Sequence, residues 1–174
     1  MGLQDSGGLD SMTGSGPGAE FELELVRGGA WKIGPRPALM GILKCTPDSI
    51  SDGGRYADAE AAVNEALQMV RQGADVIDVG GESTRPGAEP VSEDEQLARI
   101  LPVIRGIRES SDAVLSIDTR DPAVGRAALE AGADVVNDVS ACEDPGWIPV
   151  LNEYQCPVIL MHMRGTPSDM QEHT

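Results

Sequence analysis

The sequence predicts an α/β protein in which parallel β-strands alternate with α-helices. Three observations lead to this fold class. The apolar stretches are short and continuous rather than alternating, helical patterns lie between them, and one boundary between helix and strand occurs twice. Continuous apolar strands are typical of a parallel sheet that helices cover on both faces. The stretches are 38–43, 76–79, 114–117, 135–136 and 158–161.

The repeated boundary is a glycine that ends a helix and leads into a strand with a polar end. The sequence reads G-A-D-V-I-D-V at 73–79 and G-A-D-V-V-N-D-V at 132–139. Repeated βα units of this kind indicate either a (β/α) barrel or a doubly wound sheet, and the pattern alone leaves both open.

The first thirty-three residues differ in character from the rest. Residues 1–19 are rich in Gly, Ser and Asp without a hydrophobic period, so we expect a disordered leader. From Phe21 to Val26 apolar and polar residues alternate, Gly28 and Gly29 provide a turn, and a second strand starts at Ala30. This pattern predicts a β-hairpin ahead of the main fold.

Three helices are predicted between the apolar stretches. The first spans about 58–72, where apolar residues recur on one face. The second begins at Ser92, and Glu95 three residues later completes the spacing of a capping box. The third begins after Asp121 as its cap, with Pro122 at the first helical position.

Charge and composition exclude several classes of partner. Thirteen Lys and Arg against 29 Asp and Glu give a net charge of −16, which argues against nucleic acid or an anionic membrane, since both require a basic surface. No apolar window approaches the length of a membrane span, and the start lacks a secretory signal, so we expect a cytoplasmic protein. The three cysteines lack C-x-x-C spacing and are expected to be reduced thiols. Salt adaptation and coding bias both remain open as causes of the acidity.

Polar residues follow each apolar stretch, at the edge where barrels and open α/β sheets bind their ligands. Lys44 follows the first stretch, Asp118 the third and Asn137 the fourth. Asp78 lies inside the second strand, where a role in the core and a role in orienting a site residue are equally open. The loops 44–54 and 80–87 are rich in Gly, Ser, Thr and Pro, and they predict covers over a ligand.

Five segments resemble the dihydropteroate synthase family of pterin-binding barrels. They are L-M-G-I-L-K-C-T-P-D-S-I-S-D-G-G (39–54), D-V-I-D-V-G-G-E-S-T-R-P-G-A (75–88), S-I-D-T-R (116–120), A-G-A-D-V-V-N-D-V-S (131–140) and V-I-L-M-H-M-R-G-T-P (158–167). The resemblance implies a (β/α)8 TIM barrel of the pterin-binding type. A full barrel takes about 250 residues. Residues 20–174 would therefore form an incomplete barrel of about five βα units with the N-terminal hairpin, corresponding to the N-terminal two-thirds or so of the family's chain.

The resemblance also implies a reaction of folate biosynthesis. Dihydropterin pyrophosphate and p-aminobenzoate, the two expected small-molecule partners, condense to dihydropteroate with loss of pyrophosphate. By position, the pterin ring would be held by Asp118, Asn137 and Met161. Catalytic roles would fall on four residues of the two loops, which are Asp48, Ser49, Thr84 and Arg85.

Two departures from the family limit these expectations. Lys44 stands where the family has an Asn that helps to hold Mg²⁺; an ammonium group has no lone pair for a metal, so we assign no metal ligand and expect Mg²⁺ to bind poorly. The family's later strands supply another Asp, a Lys and an Arg-x-His motif, and none of these occurs here. Whether the chain alone is an enzyme therefore stays open, the alternative being a truncated, catalytically incompetent pterin-binding paralogue or fragment. The family's homodimer needs helices beyond the fifth strand, so we do not expect it for this chain.

Overall fold

The structure is a computed structural model that describes residues 20–46, 55–82 and 91–161. The predicted leader at 1–19 lies outside the described residues. The strands and helices, in chain order, are β1 (Phe21–Glu24), β2 (Ala30–Ile33), β3 (Met40–Lys44), α1 (Arg55–Arg71), β4 (Val76–Gly80), α2 (Glu93–Ser110), β5 (Val114–Asp118), α3 (Pro122–Ala131), β6 (Val135–Asp138), α4 (Trp147–Tyr154) and β7 (Val158–Leu160).

The predicted hairpin is confirmed. Strand β1 pairs antiparallel with β2, and Phe21 lies opposite Ile33. Gly28 and Gly29 both have φ of +85°, a conformation that a residue with a Cβ rarely adopts. The two glycines therefore make the turn possible.

The main sheet is parallel, as predicted, and its strand order is that of the chain. Strands β3, β4, β5, β6 and β7 lie side by side in sequence, and every neighbouring pair is parallel. A doubly wound sheet reverses its strand order at a switch point, whereas a barrel adds each strand beside the last. The sequence left a barrel and a doubly wound sheet open. The observed order shows that this sheet is part of a barrel.

The helices form one layer on one face of this sheet. Each helix packs against the next along the chain, α1 on α2, α2 on α3 and α3 on α4. Alternate residues of a strand point to opposite faces. One set of strand residues packs with the helices in the main core, including Ile77, Leu115, Ile117 and Val136. Within the described residues, helical cover is thus confirmed on one face only.

The hairpin covers part of the other face, at the amino ends of the strands. Val76, Val114 and Val135 form a second apolar cluster there, and Leu25 and Trp31 of the hairpin segment pack against it. The carboxyl ends of the same strands carry the polar residues. None of the described helices is long and apolar enough to cross a bilayer.

The predicted caps of α2 and α3 are confirmed. The Ser92 hydroxyl accepts from the amide of Glu95 at 3.4 Å, and the Asp121 carboxylate accepts from the amide of Ala123 at 2.8 Å. Each side chain satisfies an amide that the helix itself leaves without a partner. Helix α1 begins at Arg55, slightly earlier than the predicted start.

Helix α4 and its buried tryptophan were not predicted from the sequence. Trp147 is fully buried, and a Cβ placed on Gly125 of α3 would lie 2.3 Å from its Cη2 atom. A glycine at 125 is therefore needed for α4 to approach α3. Spacing of Trp147, Val150 and Leu151 at i, i+3 and i+4 is the signal that could have revealed this helix.

A buried charge cluster joins the hairpin to the amino ends of the strands. The side chain of Asp134 is 0% exposed. Its carboxylate accepts from Arg27 Nε at 2.8 Å, from the backbone amide of Leu115 at 3.0 Å, and from the guanidinium of Arg108. Three elements distant in sequence are thus held by one carboxylate.

Candidate functional site

The site residues lie in one row across the carboxyl ends of four strands. The strand register places Lys44 beside Gly80, Gly80 beside Asp118, and Asp118 beside Asn137. Strands β3, β5 and β6 each extend one or two residues beyond the predicted apolar stretch. The polar side chains therefore belong to the ends of the strands themselves, where the backbone is fixed by the sheet.

Asp118 and Lys44 form an ion pair within this row. Asp118 is 6% exposed, and its Oδ2 atom pairs with Lys44 Nζ. A Cβ on Gly80 would lie 3.0 Å from Lys44 Nζ and 3.3 Å from Lys44 Cδ. The absence of a side chain at Gly80 thus leaves room for the lysine to reach across β4 to Asp118.

Asn137 is oriented by Asp78. Its Nδ2 atom donates to Asp78 Oδ2 at 3.0 Å, across a sequence separation of 59 residues. This bond fixes which way the amide faces and leaves its carbonyl oxygen available as an acceptor. Of the two roles that the sequence left open for Asp78, the structure supports the orienting one.

Asp78 and its neighbour Ser116 carry buried polar atoms that lack a partner. Ser116 is the register partner of Asp78 on β5, and both side chains are buried. Within the described residues, neither Asp78 Oδ1 nor Ser116 Oγ makes a hydrogen bond.

Burial raises the pKa of Asp78 above its ordinary value of 3.8, and the negative charge of Asp118 raises it further. The neighbouring Ser116 hydroxyl opposes this shift most strongly, and the hydrogen bond from Asn137 and the positive charge of Lys44 oppose it further. In the folded protein the carboxyl group of Asp78 therefore keeps its proton to a higher pH than it does in the unfolded chain.

Changing Asp78→Asn is expected to make the protein more stable than the wild type, by an amount that increases as the pH rises. A carboxyl group whose pKa is raised by folding binds more protons in the folded than in the unfolded state, so the free energy of unfolding falls as the pH rises from 3.8 through the raised value. The asparagine does not titrate, and its oxygen can still accept from Asn137. Urea unfolding between pH 4 and 8 should therefore show Asp78→Asn gaining stability relative to the wild type.

Asp75→Asn provides a control of opposite sign. The hydrogen bond from Arg36 holds the pKa of Asp75 below its ordinary value. Stability from this group is present above pH 3.8 and is lost as the pH falls through the lowered pKa. Asp75→Asn should thus be less stable than the wild type at pH 7 and lose that difference in acid. Parallel curves for Asp78→Asn and the wild type would contradict the assignment.

Glu82 connects the segment after β4 to the segments before α2 and after β5, a role that was not predicted from the sequence. Its carboxylate accepts from the backbone amide of Val91 at 3.2 Å and pairs with Arg120 at 3.3 Å. Nearby, Arg99 donates to the carbonyl of Gly81 at 2.8 Å. Glu82 lies in the polar segment noted after β4, but nothing in the sequence pairs it with Val91, which precedes α2, or with Arg120, which follows β5.

The structure brings together part of the predicted site. Asp118 and Asn137 are adjacent. Met161, 39% exposed, follows β7, and its amide donates to the carbonyl of Asp138 on β6 at 3.4 Å. It lies two residues after Ile159, the register partner of Asn137, and so lies at the same edge. The other four predicted residues fall outside the described residues, namely Asp48, Ser49, Thr84 and Arg85.

At the end of β3 the row of site residues carries an ammonium group in place of an oxygen ligand for Mg²⁺. Mg²⁺ prefers oxygen ligands. Residues 20–46, 55–82 and 91–161 contain no group of three or more His, Cys, Asp or Glu that could hold a metal. In the row itself the exposed end of β3 carries an ammonium group, and that group already pairs with Asp118.

Comparison with known proteins agrees with this architecture. The dihydropteroate synthase of Synechocystis is 49% identical over 142 residues, which cover 81% of this chain and 49% of the relative. The crystal structure of Yersinia pestis dihydropteroate synthase in a sulfonamide drug complex matches with a TM-score of 0.77 and 43% identity, over 87% of this chain and 55% of that one. The Xanthomonas albilineans enzyme in complex with 7,8-dihydropteroate matches with a TM-score of 0.71 and 40% identity, over 82% and 51%.

These matches confirm the resemblance to dihydropteroate synthases and the partial TIM barrel. The chain spans about half the length of the Synechocystis relative, less than the two-thirds that was expected. The family described as pterin binding enzyme matches residues 40–174, which includes the whole row of site residues. The chain belongs to the family of pterin-binding enzymes.

Proposed function

We propose that this sheet edge binds the ring of a pterin. The observation that carries the proposal is the adjacent pair of Asp118 and Asn137 at the carboxyl ends of β5 and β6. A buried carboxylate can accept from two neighbouring N–H groups, and an oriented amide offers an acceptor beside a donor. The amino-pyrimidinone edge of a pterin presents N–H donors and acceptors in such a mixture. Met161 at the end of β7 would supply an apolar contact to the ring.

We further propose that the protein acts in the dihydropteroate synthase reaction. The amino nitrogen of p-aminobenzoate attacks the methylene carbon of dihydropterin pyrophosphate, a C–N bond forms, and the C–O bond to pyrophosphate breaks. The amine gives up one proton and pyrophosphate leaves with the bonding electrons. Asp118 and Asn137 would hold the ring while the methylene reacts. Catalytic roles for Asp48, Ser49, Thr84 and Arg85 stay predictions.

A pterin-binding protein without catalysis is the second candidate function. It is favoured by Lys44, whose ammonium group replaces a ligand that the resemblance associates with Mg²⁺. A turnover assay with dihydropterin pyrophosphate and p-aminobenzoate separates the two functions, because both predict pterin binding and only the first predicts product. A cytoplasmic location and the lack of a homodimer also stay predictions; light scattering checks the second.

Calorimetric titration with a hydroxymethyl dihydropterin tests pterin binding directly. The wild type is expected to bind, and Asn137→Ala is expected to bind about tenfold more weakly, because one or two hydrogen bonds of about 1 kcal/mol are lost. Asn152→Ala is the matched control, since Asn152 is exposed on α4 and away from the row. No binding heat from folded wild-type protein, or equal affinities for both variants, would refute the proposal.

A further inference from the structure

Lys44 provides a positive charge inside the row of site residues. It is the last residue of β3, and its side chain is 26% exposed. An ammonium group has three N–H donors, and Asp118 Oδ2 accepts from one of them. No other acceptor among the described residues takes the remaining two donors, which can therefore serve a group bound at the mouth of the site.

Within the part of the chain that the structure describes, two other cations near this edge are held by glutamates. Arg99 pairs with Glu95 at 3.0 Å, and Arg120 pairs with Glu82 at 3.3 Å. The Arg99–Glu95 pair lies within α2, whereas the Arg120–Glu82 pair joins the segment after β5 to the segment after β4. Lys44 differs because its partner, Asp118, is the carboxylate assigned to the pterin. A ligand held by Asp118 would thus lie directly beside the lysine ammonium.

We infer that Lys44 is a fixed cation that binds the diphosphate group of the ligand without a divalent metal. The inference rests on the proposed function, which places a pterin ring at Asp118. A diphosphate carries several negative charges, and the chain as a whole carries −16, so a local positive charge is required. The described residues contain no group of three or more His, Cys, Asp or Glu that could hold a metal, whereas the ammonium of Lys44 is in the row itself.

Titration of inorganic pyrophosphate into the full chain tests this role. In EDTA the wild type is expected to bind pyrophosphate, and added MgCl₂ should leave its affinity unchanged within about twofold once magnesium pyrophosphate in solution is accounted for. Lys44→Asn should weaken binding in EDTA by roughly tenfold or more, the loss of a charge-assisted hydrogen bond. Lys44→Arg keeps the charge and should stay within about threefold of the wild type.

Lys32→Asn is the matched control. It makes the same change of charge in the hairpin, where the Lys32 side chain is 73% exposed and pairs with Glu22 at 4.0 Å. Its affinity for pyrophosphate should equal that of the wild type, and thermal unfolding of each variant confirms that it is folded.

The results separate this inference from the proposed function. Binding of pyrophosphate by the wild type only when Mg²⁺ is present, or equal binding by Lys44→Asn and the wild type in EDTA, would overturn the role of Lys44. If a hydroxymethyl dihydropterin still binds in that case, the proposed pterin site is supported and only the role of Lys44 in binding the diphosphate without a metal is refuted. If neither ligand binds to the folded chain, both proposals fail.

Discussion

Changing Asp118→Asn is expected to weaken the binding of a hydroxymethyl dihydropterin by about 10- to 100-fold. Hydrogen bonds to a charged group contribute about 1.5–3 kcal/mol, and each 1.4 kcal/mol is a factor of ten in affinity. The asparagine replaces one of the two carboxylate acceptors with a donor, which would face an N–H donor of the ring. Asp118 is 6% exposed, so little water is present to compensate. Isothermal titration calorimetry measures the change.

Asp121→Asn is the matched control for this variant. Asp121 lies three residues further along the chain and caps α3 by accepting from the amide of Ala123. Asparagine is an equally good cap, so the control removes the same charge from the same end of the sheet without loss of the helix. Unchanged affinity in Asp118→Asn, or an equal loss in both variants, would show that the carboxylate at 118 does not contact the ligand.

Changing Asp134→Ala is expected to lower the free energy of unfolding by about 3–5 kcal/mol. Removing one partner of a buried ion pair leaves the remaining charge without compensation, and this is the usual size of the effect. Here two guanidinium groups, those of Arg27 and Arg108, and the amide of Leu115 would lose their common acceptor. Urea unfolding at pH 7 measures the loss.

Asp112→Ala is the control for Asp134→Ala. Asp112 also pairs with Arg27, at 3.9 Å, but its side chain is fully exposed. Water and salt screen such a pair, so no measurable change in stability is expected. A similar effect from both substitutions, or a loss below about 1 kcal/mol for Asp134→Ala, would contradict the picture of one buried carboxylate holding three elements together.

The apolar pattern predicted the strands because strand cores must be buried, but it could not predict where the strands end. Strand β6 was predicted over 135–136 and runs over Val135–Asp138. Of its last two residues, Asn137 belongs to the row of site residues, and Asp138 accepts from the amides of Ser140 and Cys142 in the turn that follows. Hydrophobic periodicity records burial against the helices, so polar strand ends of this kind are read as loop.

Contacts between distant residues were the other limit. Lys44 and Asp118 are 74 residues apart, and their pairing depends on the register of three strands and on the missing side chain at Gly80. The same holds for Asn137 and Asp78. The resemblance to dihydropteroate synthases placed Asp118 and Asn137 in one pocket. Lys44 departs from the family, so the resemblance could not predict that Lys44 pairs with Asp118. Helix α4 was missed because the Asp-Pro-Gly segment before it is typical of a loop.

Strands β5 and β6 have different roles at their amino and carboxyl ends. The amide of Leu115 and the residue before β6, Asp134, belong to the buried charge cluster, whereas Asp118 and Asn137 belong to the row of site residues. The three residues from Leu115 to Asp118 span about 10 Å of extended chain. Substitutions that far apart, with no shared partners, usually have additive effects. Ligand recognition can therefore be redesigned at the carboxyl ends of these two strands. The free energy of unfolding can be adjusted separately at their amino ends.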